Sequence, residues 1–326
     1  MKDQLVTKKI LKWYDLNKRS LPWRKNVSQQ KRQYYTLISE FMLQQTQVVT
    51  VIPYFKRFIK NIPNLKILSK VKNKKLIKLW EGLGYYSRAR NLKKTAQVVI
   101  RSFSGKLPDN FEDLKSLPGI GDYTASAILA IAFNKPYIPL DGNIERVLKR
   151  YLYLKKNNEI QKDYLQNKKS IFGSSKRSSD YAQALMELGT LICKPINPLC
   201  DQCPISKRCK SFEKKDFDLT KNIKKSVDKY FLLKVYKKDQ RYLLIKNTKF
   251  NFLKNLTIFP MEELSNPKNF NENLNFKMSN MNMNIKIQYL NSREKFQSPY
   301  WVDKKKLDNY MLPSFTKKVV KYLERN

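Results

Sequence analysis

Four cysteines, the only ones in this 326-residue chain, lie close together about two thirds of the way along it. They are Cys193, Cys200, Cys203 and Cys209, in the spacing C-x6-C-x2-C-x5-C. Four thiolates at uneven spacing suit a [4Fe-4S] cluster, which takes one sulfur for each iron. A zinc ion held by all four thiolates is the alternative, although zinc sites usually present paired, close-spaced cysteines. The spacing therefore predicts a metal centre over 193–209, with the cluster favoured over zinc.

The N-terminal sequence argues against disulfides as the use of these thiols. It reads MKDQLVTKKILKWYDLNKR and contains no apolar signal segment. A chain that is not exported stays in a reducing compartment, where thiols remain reduced. No apolar run approaches the length of a membrane span either. We therefore expect a cytoplasmic protein without membrane contact.

Histidine is absent from the chain, which excludes several classes of enzyme. Neither a Ser-His-Asp triad nor a histidine-ligated zinc hydrolase can be built without it, and deaminases with an H-x-E motif are excluded as well. Acid–base chemistry in this chain must therefore come from carboxylates.

The formal net charge is +39, which on a soluble protein indicates a polyanionic partner, most simply nucleic acid. Lysine and asparagine are abundant throughout, however, as a strongly biased genome would also produce. The charge supports DNA binding without locating the surface that binds.

Sequence periodicity divides the chain into a helical part and a strand-containing part. The first two thirds show apolar residues at helical spacing, interrupted by prolines. Residues 213–228 are charged and poor in large apolar side chains, which is typical of a linker. Beyond them, YFLLKVY, RYLLIKN and IKIQYL are predicted strands and TKKVVKYLERN a predicted helix. We predict a mostly α protein, with a helical domain over 1–212 and a smaller α+β domain over 229–326.

Several segments together resemble one superfamily of DNA-repair enzymes. MELGTLICKPINPLCDQCPISKRC (186–209) resembles the iron–sulfur loop of the endonuclease III class of DNA glycosylases, and LPGIGDYTASAIL (117–129) with PLDGNIERVLKR (139–150) resembles their helix-hairpin-helix, placed over 110–130, and their catalytic aspartate. SEFMLQQTQV (39–48) and EGLGYYSRARNL (81–92) resemble the MutY-type adenine DNA glycosylases in particular. The resemblance covers roughly residues 1–212. It implies a monomeric, nucleoid-associated enzyme with a [4Fe-4S] cluster, acting on double-stranded DNA with adenine opposite 8-oxoguanine or guanine.

The hairpin sequence has a physical interpretation of its own. Gly119 and Gly121, which follow Leu117, allow a tight turn that leaves backbone amides at the start of the next helix. Such amides bind a DNA phosphate without help from side chains. An ordinary turn between helices is the alternative, and the resemblance favours DNA binding.

Two carboxylates carry the chemistry that the resemblance implies. A glycosylase extrudes its target base from the duplex before it can reach the glycosidic bond. Adenine leaves only once it is protonated, and the sugar then develops positive charge, so two acids divide the work as in glycoside hydrolysis. By match to the family motifs, Glu40 is the general acid and Asp141 stabilises the cationic sugar. The alternatives are an acid on a helix surface for Glu40 and a helix cap near Asn143 for Asp141.

Position 123 indicates the type of reaction. Relatives that also cut the strand carry a lysine nucleophile there, whereas this chain has Tyr123, which cannot form a Schiff base. We therefore expect a monofunctional glycosylase that leaves an abasic site, with Tyr123 hydrogen-bonded near the sugar and Asp141. A ring that fills the interhelix core is the alternative.

The resemblance also implies contacts with DNA and with the extruded base. The residues expected to wedge into the duplex are Gln44, Gln45, Thr46, Leu83 and Tyr85, and those expected in the adenine pocket are Arg24 and Gln183. A wedge lowers the cost of unstacking by filling the gap. Buried polar groups in helix connections are the alternative.

The C-terminal third faintly resembles a MutT-like (Nudix-like) domain that recognises the base opposite adenine. LTIFP (256–260) carries that likeness, and no Nudix glutamate box is visible. The family's recognition triplet falls on Met278, Ser279 and Asn280, of which Ser279 is expected to contact substrate. Met278 cannot stack as an aromatic ring does, which puts the strength of 8-oxoguanine discrimination in doubt.

Two other functions are open to the same scaffold. One is a glycosylase for mismatched thymine or damaged pyrimidines, which a lysine at position 123 would have favoured. The other is a noncatalytic DNA-binding protein, against which Glu40 and Asp141 argue.

Overall fold

A computed structural model describes residues 4–154, 175–218, 226–265, 267, 270–278, 280–290, 299–303 and 312–325. Contacts divide the chain into two compact units. The first comprises Met1–Val71 and Ser87–Lys221, and the second comprises Lys72–Tyr86 and Asn222–Asn326. Among the described helices, none combines the length and the apolar character needed to cross a membrane.

Helices make up almost all of the regular structure before residue 218. They are α1 (Gln4–Asn17), α2 (Gln29–Leu43), α3 (Val48–Asn61), α4 (Leu65–Lys70), α5 (Asn73–Trp80), α6 (Tyr86–Ser102), α7 (Phe111–Ser116), α8 (Asp122–Phe133), α9 (Gly142–Leu152), α10 (Ser178–Glu187) and α11 (Lys210–Glu213). A π-helical turn, Leu188–Ile192, extends α10, and 3-10 turns occupy Pro22–Arg24, Cys200–Gln202 and Ser206–Arg208. The predicted helical character of this part is confirmed.

The core of the first unit is formed where α1, α9 and α10 pack together. In α1, Val6, Ile10 and Tyr14 recur every four residues, so they share one face of the helix, and all three are buried. They belong to one cluster with Ile144 of α9 and Leu185 of α10. This packing holds α9 and α10 in place beside α1.

A tight turn between α7 and α8 forms the predicted hairpin. Gly119 adopts a left-handed φ of +83°, and a Cβ at this position would lie 2.8 Å from the Cβ of Asn91 and 3.0 Å from Cε1 of Phe41. A side chain is therefore excluded by both conformation and space. The glycine lets the turn approach α2 and α6 closely.

The second unit contains two four-stranded sheets. Its strands are β1 (Val227–Val235), β2 (Lys237–Lys238), β3 (Arg241–Lys246), β4 (Thr257–Ile258), β5 (Met261–Leu264), β6 (Leu274–Met278), β7 (Met281–Tyr289) and β8 (Pro299–Asp303). One sheet has the order β5-β1-β7-β6, in which β1 and β7 are parallel and the other pairs antiparallel. The other has the order β2-β3-β4, with β8 also paired to β3.

Buried and partly exposed side chains alternate along β1, and the buried ones belong to the core of this unit. Phe231, Leu233 and Val235 are buried, and they cluster with Phe315 and Val319 of the C-terminal helix α12 (Ser314–Leu323). The predicted strands and terminal helix are thus present. The boundaries proposed for the two domains and for the linker stay a prediction, because residues 219–225 lie outside the described part of the chain.

Candidate active site

A cavity of about 830 Å³ opens within the first unit. Six of the residues singled out from the sequence line it: Arg24, Glu40, Thr46, Tyr123, Asp141 and Gln183. They come from the turn at 22–24, from α2 and the segment after it, and from α8, α9 and α10. Motifs far apart in the sequence thus meet at one site.

Glu40 lies in the last turns of α2 and is only 5% exposed. Tyr123 donates a hydrogen bond to its carboxylate, and the second oxygen, Oε2, is buried without a hydrogen-bond partner among the described residues. Burial raises the pKa of Glu40 to about 7, and the nearby charge of Asp141 adds to this, against the lowering effects of Tyr123 and Arg24. Near neutral pH the carboxyl group can therefore hold a proton and release it.

Asp141 is the N-cap of α9. Its Oδ1 accepts hydrogen bonds from the amides of Asn143 at 3.0 Å and Ile144 at 2.7 Å, and its Oδ2 accepts one from the Asn143 side chain at 2.9 Å. Burial raises the pKa of Asp141, while these hydrogen bonds lower it in part. The capping role considered from the sequence is real, and it holds the carboxylate rigidly at the cavity.

Tyr123, in the first turn of α8, is half-buried and connects to both acids. Burial, followed by the charges of Glu40 and Asp141, raises its pKa well above the usual value, so the phenol keeps its proton. Its hydrogen bond goes to Glu40, and the charge of Asp141 acts on it from nearby. The expected position of Tyr123 near the sugar stays a prediction.

Arg24 is tied to a carboxylate that sequence reasoning missed. Glu187, at the end of α10, is fully buried and lies 2.8 Å from Nη1 of Arg24. Arg19 also binds it in bidentate fashion, at 2.7 and 3.0 Å. Because breaking one side of a buried ion pair is costly, these three residues form a firm wall of the cavity. A glutamate inside the apolar run ALMEL was the available sequence signal.

Gln183 lies on the same helix, α10, and is 8% exposed. Its amide nitrogen donates to the carbonyl oxygen of Ser179, one turn earlier, at 3.1 Å. It also lies 3.4 Å from Oγ of Ser179, and the residue lines the cavity, while its contact with substrate stays a prediction.

The segment after α2 contains the predicted wedge residues Gln44, Gln45 and Thr46. Gln45 has a left-handed φ of +57°. The Gln44 side chain lies 3.4 Å from both the Gly119 carbonyl oxygen and Oγ1 of Thr124. The wedge segment is thus joined to the hairpin turn and to α8.

In the hairpin, Gly119 and Gly121 are exposed and Leu117 is buried. Gly121 is the N-cap of α8, where the first amides of a helix have no carbonyl partner. The glycines therefore fit a phosphate-binding turn. The Leu117 side chain is buried beneath that turn and does not face a ligand.

Three predicted residues belong to the second unit. Leu83 is buried, whereas Tyr85 is 47% exposed with a φ of +45°. Ser279 lies outside the described residues, next to the end of β6 at Met278. Their proposed roles stay predictions.

All four cysteines are free and partly buried in one loop, and three of them pack against the core of the first unit. Burial raises the pKa of Cys200 to about 11 and that of Cys203 to about 12, and mutual repulsion of the thiolates contributes to both. The thiols are thus close enough to interact, and a cationic group would favour their ionised form. In the described part of the chain, no three Cys, Asp or Glu side chains lie close enough together to bind one metal ion.

Arginines from α9 hold the cysteine loop. Arg150 donates to the carbonyl oxygens of Lys194 at 2.6 Å and Pro195 at 2.8 Å, and lies 3.5 Å from the Cys193 sulfur. Arg146 donates to the Cys193 carbonyl oxygen at 2.7 Å. The helix that Asp141 caps is therefore also the support of the cysteine loop.

Comparison with known proteins agrees with this geometry. Residues 38–170 match the model of the HhH-GPD superfamily of base excision DNA repair proteins. The chain is 38% identical over 260 residues to an adenine DNA glycosylase of Buchnera aphidicola subsp. Schizaphis graminum (strain Sg), covering 77% of this chain and 73% of that protein. It is 40% identical over 212 residues to the Rattus norvegicus adenine DNA glycosylase, and the match covers 63% of this chain and 41% of the rat protein.

Among solved structures, a thermostable thymine-DNA glycosylase superposes with a TM-score of 0.58 and 28% identity, covering 65% of this chain and 96% of that one. The structural match supports the helical glycosylase fold. The relatives found by sequence are adenine DNA glycosylases, which narrows the family. The chain belongs to the adenine DNA glycosylase family, within the HhH-GPD superfamily of base excision repair proteins.

Proposed function

We propose that this enzyme hydrolyses the N-glycosidic bond of adenine opposite 8-oxoguanine or guanine in double-stranded DNA, acting as a monomer. It would release free adenine and leave an uncut strand with an abasic site. The observation that carries the proposal is the buried carboxyl of Glu40, whose pKa is raised to about 7 beside Asp141.

The two acids would divide the reaction as follows. Glu40 gives its proton to a ring nitrogen of the extruded adenine while the bond between that base and the sugar breaks. Asp141, ionised and held by α9, stabilises the cationic sugar. Water then adds to the sugar carbon, and its proton replaces the one that Glu40 lost.

The cavity offers groups to bind the base. Nε of Arg24 is buried and has no hydrogen-bond partner among the described residues, so it can donate to an acceptor on the purine. Gln183, whose amide nitrogen donates to Ser179, offers its amide oxygen for the same purpose. Both residues match positions that sequence analysis assigned to substrate.

The absence of a lysine at position 123 supports a monofunctional reaction. Tyr123 cannot form a covalent imine with the sugar. Glu145, one turn after Asp141, is an acid that binds Lys149 at 2.5 Å. Neither position supplies the amine that strand cleavage requires.

The four cysteines would hold a [4Fe-4S] cluster, which when bound cross-links its loop through iron–sulfur bonds. Their shared loop and their partial burial fit thiols that bind one metal centre together. Zinc is the competing occupant. Iron and sulfide analysis of purified protein, with visible absorbance, separates the two.

The second unit would recognise the base opposite adenine as a MutT-like domain. Its support is the sheet-containing core and the LTIFP segment, in which Ile258 and Phe259 are buried. The Met278–Asn280 segment would lie at that base. Because it lacks an aromatic ring, discrimination between 8-oxoguanine and guanine should be weak.

One assay tests the proposed reaction. The enzyme is incubated with duplexes that carry adenine opposite 8-oxoguanine, adenine opposite guanine or thymine opposite guanine, and strands are analysed with and without alkali. We expect breaks only after alkali and only at adenine. Breaks without alkali would refute the monofunctional reaction, and breaks at thymine alone would assign a different substrate.

A further inference from the structure

Arg88, in the first turn of α6, is a buried cation that none of the proposed chemistry uses. It is 7% exposed. Burying a guanidinium is unfavourable unless its hydrogens are bonded, so its partners indicate its role. Four of those partners lie in the last turn of α2 and in the segment that follows it.

The guanidinium caps the C-terminus of α2. Nη1 donates to the carbonyl oxygens of Phe41 at 3.2 Å and Met42 at 2.9 Å, and also to that of Gln44. The last carbonyls of a helix have no partner within it and carry the negative end of its dipole, so a cation satisfies both needs. Glu40 immediately precedes the first of these carbonyls.

The same side chain also holds the wedge segment. Nη2 of Arg88 donates to Oγ1 of Thr46 at 3.1 Å. Gln45 lies between Gln44 and Thr46, both of which Arg88 contacts. Its left-handed φ is uncommon for a residue with a side chain and needs support from its surroundings. One planar group thus fixes both the turn that carries Glu40 and the loop predicted to enter the duplex.

We infer that Arg88 is a positioning residue for adenine excision, which sets the place of the Glu40 carboxyl by clamping the end of α2 to the Gln44–Thr46 loop. This inference rests on the proposed function. A lysine cannot replace the clamp, because one ammonium does not match the planar, multiple-donor geometry of a guanidinium.

The test uses the full-length chain with Arg88→Met and Arg88→Lys, and measures single-turnover adenine excision at saturating enzyme. We expect the rate constant to fall about 100-fold in Arg88→Met, as for a catalytic group displaced by about 1 Å, with duplex affinity changed less than about threefold. Arg88→Lys should recover only part of the rate, whereas added guanidinium ion should accelerate Arg88→Met and leave wild type unchanged. Arg101→Met, which removes an exposed arginine of the same helix, is the matched control.

Two readouts separate positioning from a loss of folded protein. Active-site titration with duplex in excess counts the folded enzyme, because partial unfolding lowers the number of active sites and leaves the single-turnover rate constant at saturating enzyme unchanged. Displacement of Glu40 lets water reach it, which moves the alkaline midpoint of the rate profile to lower pH. An unchanged rate constant and midpoint in Arg88→Met overturn the inference, while failure of the wild type to release adenine overturns the proposed function instead.

Discussion

The acids at the cavity of the first unit and the acids on the sheet of the second unit lie in different environments. In the first, Glu40 and Glu187 are buried, at 5% and 0% exposure. In the second, Glu262 and Glu263 remain solvent-exposed and pair with lysines across β1 and β5, at 2.9 and 2.6 Å. Removing a carboxylate from water is costly, so a fold keeps one buried where it is paired or where its shifted pKa serves a reaction. The difference fits a reaction that uses the buried acids of the cavity.

The largest effect should come from Glu40→Gln. The amide keeps the shape of the side chain but cannot donate an acidic proton, so single-turnover adenine excision should fall about 1000-fold. The control is Glu112→Gln, which neutralises an exposed acid in α7. Excision by Glu40→Gln at the wild-type rate would remove the basis of the mechanism.

Asp141→Asn should be slower than wild type by about 100-fold. Asparagine is also a good N-cap, so α9 should keep its start and only the charge that stabilises the sugar is lost. The thermal unfolding midpoint should therefore match that of wild type while the excision rate falls. A large loss of thermal stability with normal excision would reduce Asp141 to a structural cap.

A smaller effect is expected from Tyr123→Phe. The hydrogen bond from Tyr123 lowers the pKa of Glu40, so its removal should raise that pKa further and move the alkaline midpoint of excision to higher pH. We expect the maximal rate to change by less than about tenfold, since the phenol donates to the acid and does not replace it. A midpoint that stays in place would show that Tyr123 only fills space.

The smallest effect is expected in the second unit, from Lys229→Met. Lys229 and its partner Glu263 are 41% and 40% exposed, and surface ion pairs contribute less than about 1 kcal/mol to the free energy of unfolding. Denaturant unfolding should detect little change, and adenine excision should be normal. A loss of excision would show that the exposed ion pairs of the second unit also contribute to the reaction.

The site could be predicted from the sequence where a motif is local, and not where partners meet across the fold. Glu40 and Asp141 stand in short, specific segments, and the structure brings both to the cavity. Glu187 was missed because its significance depends on two arginines that precede it by more than 160 residues. Pairing at such a distance leaves no periodic or spacing signal in one sequence.

The same limit applies to contacts. Tyr123 was expected near the sugar and Asp141, but its hydrogen bond to Glu40 was not foreseen, because the two residues lie far apart in the sequence. Helix and strand types were predictable because apolar periodicity records which face is buried. The wall formed by Arg19, Arg24 and Glu187 depends on how α10 packs beside the turn at 22–24, which that periodicity does not encode.

The most direct test of the central claim is the pH dependence of single-turnover adenine excision by wild-type enzyme and Glu40→Gln. Glu40 must be protonated and Asp141 ionised, so the wild-type rate should fall on both sides of an optimum, with the alkaline midpoint near pH 7. The residual rate of Glu40→Gln should lack the alkaline fall. An identical alkaline midpoint in both proteins would contradict the assignment of Glu40 as the proton donor.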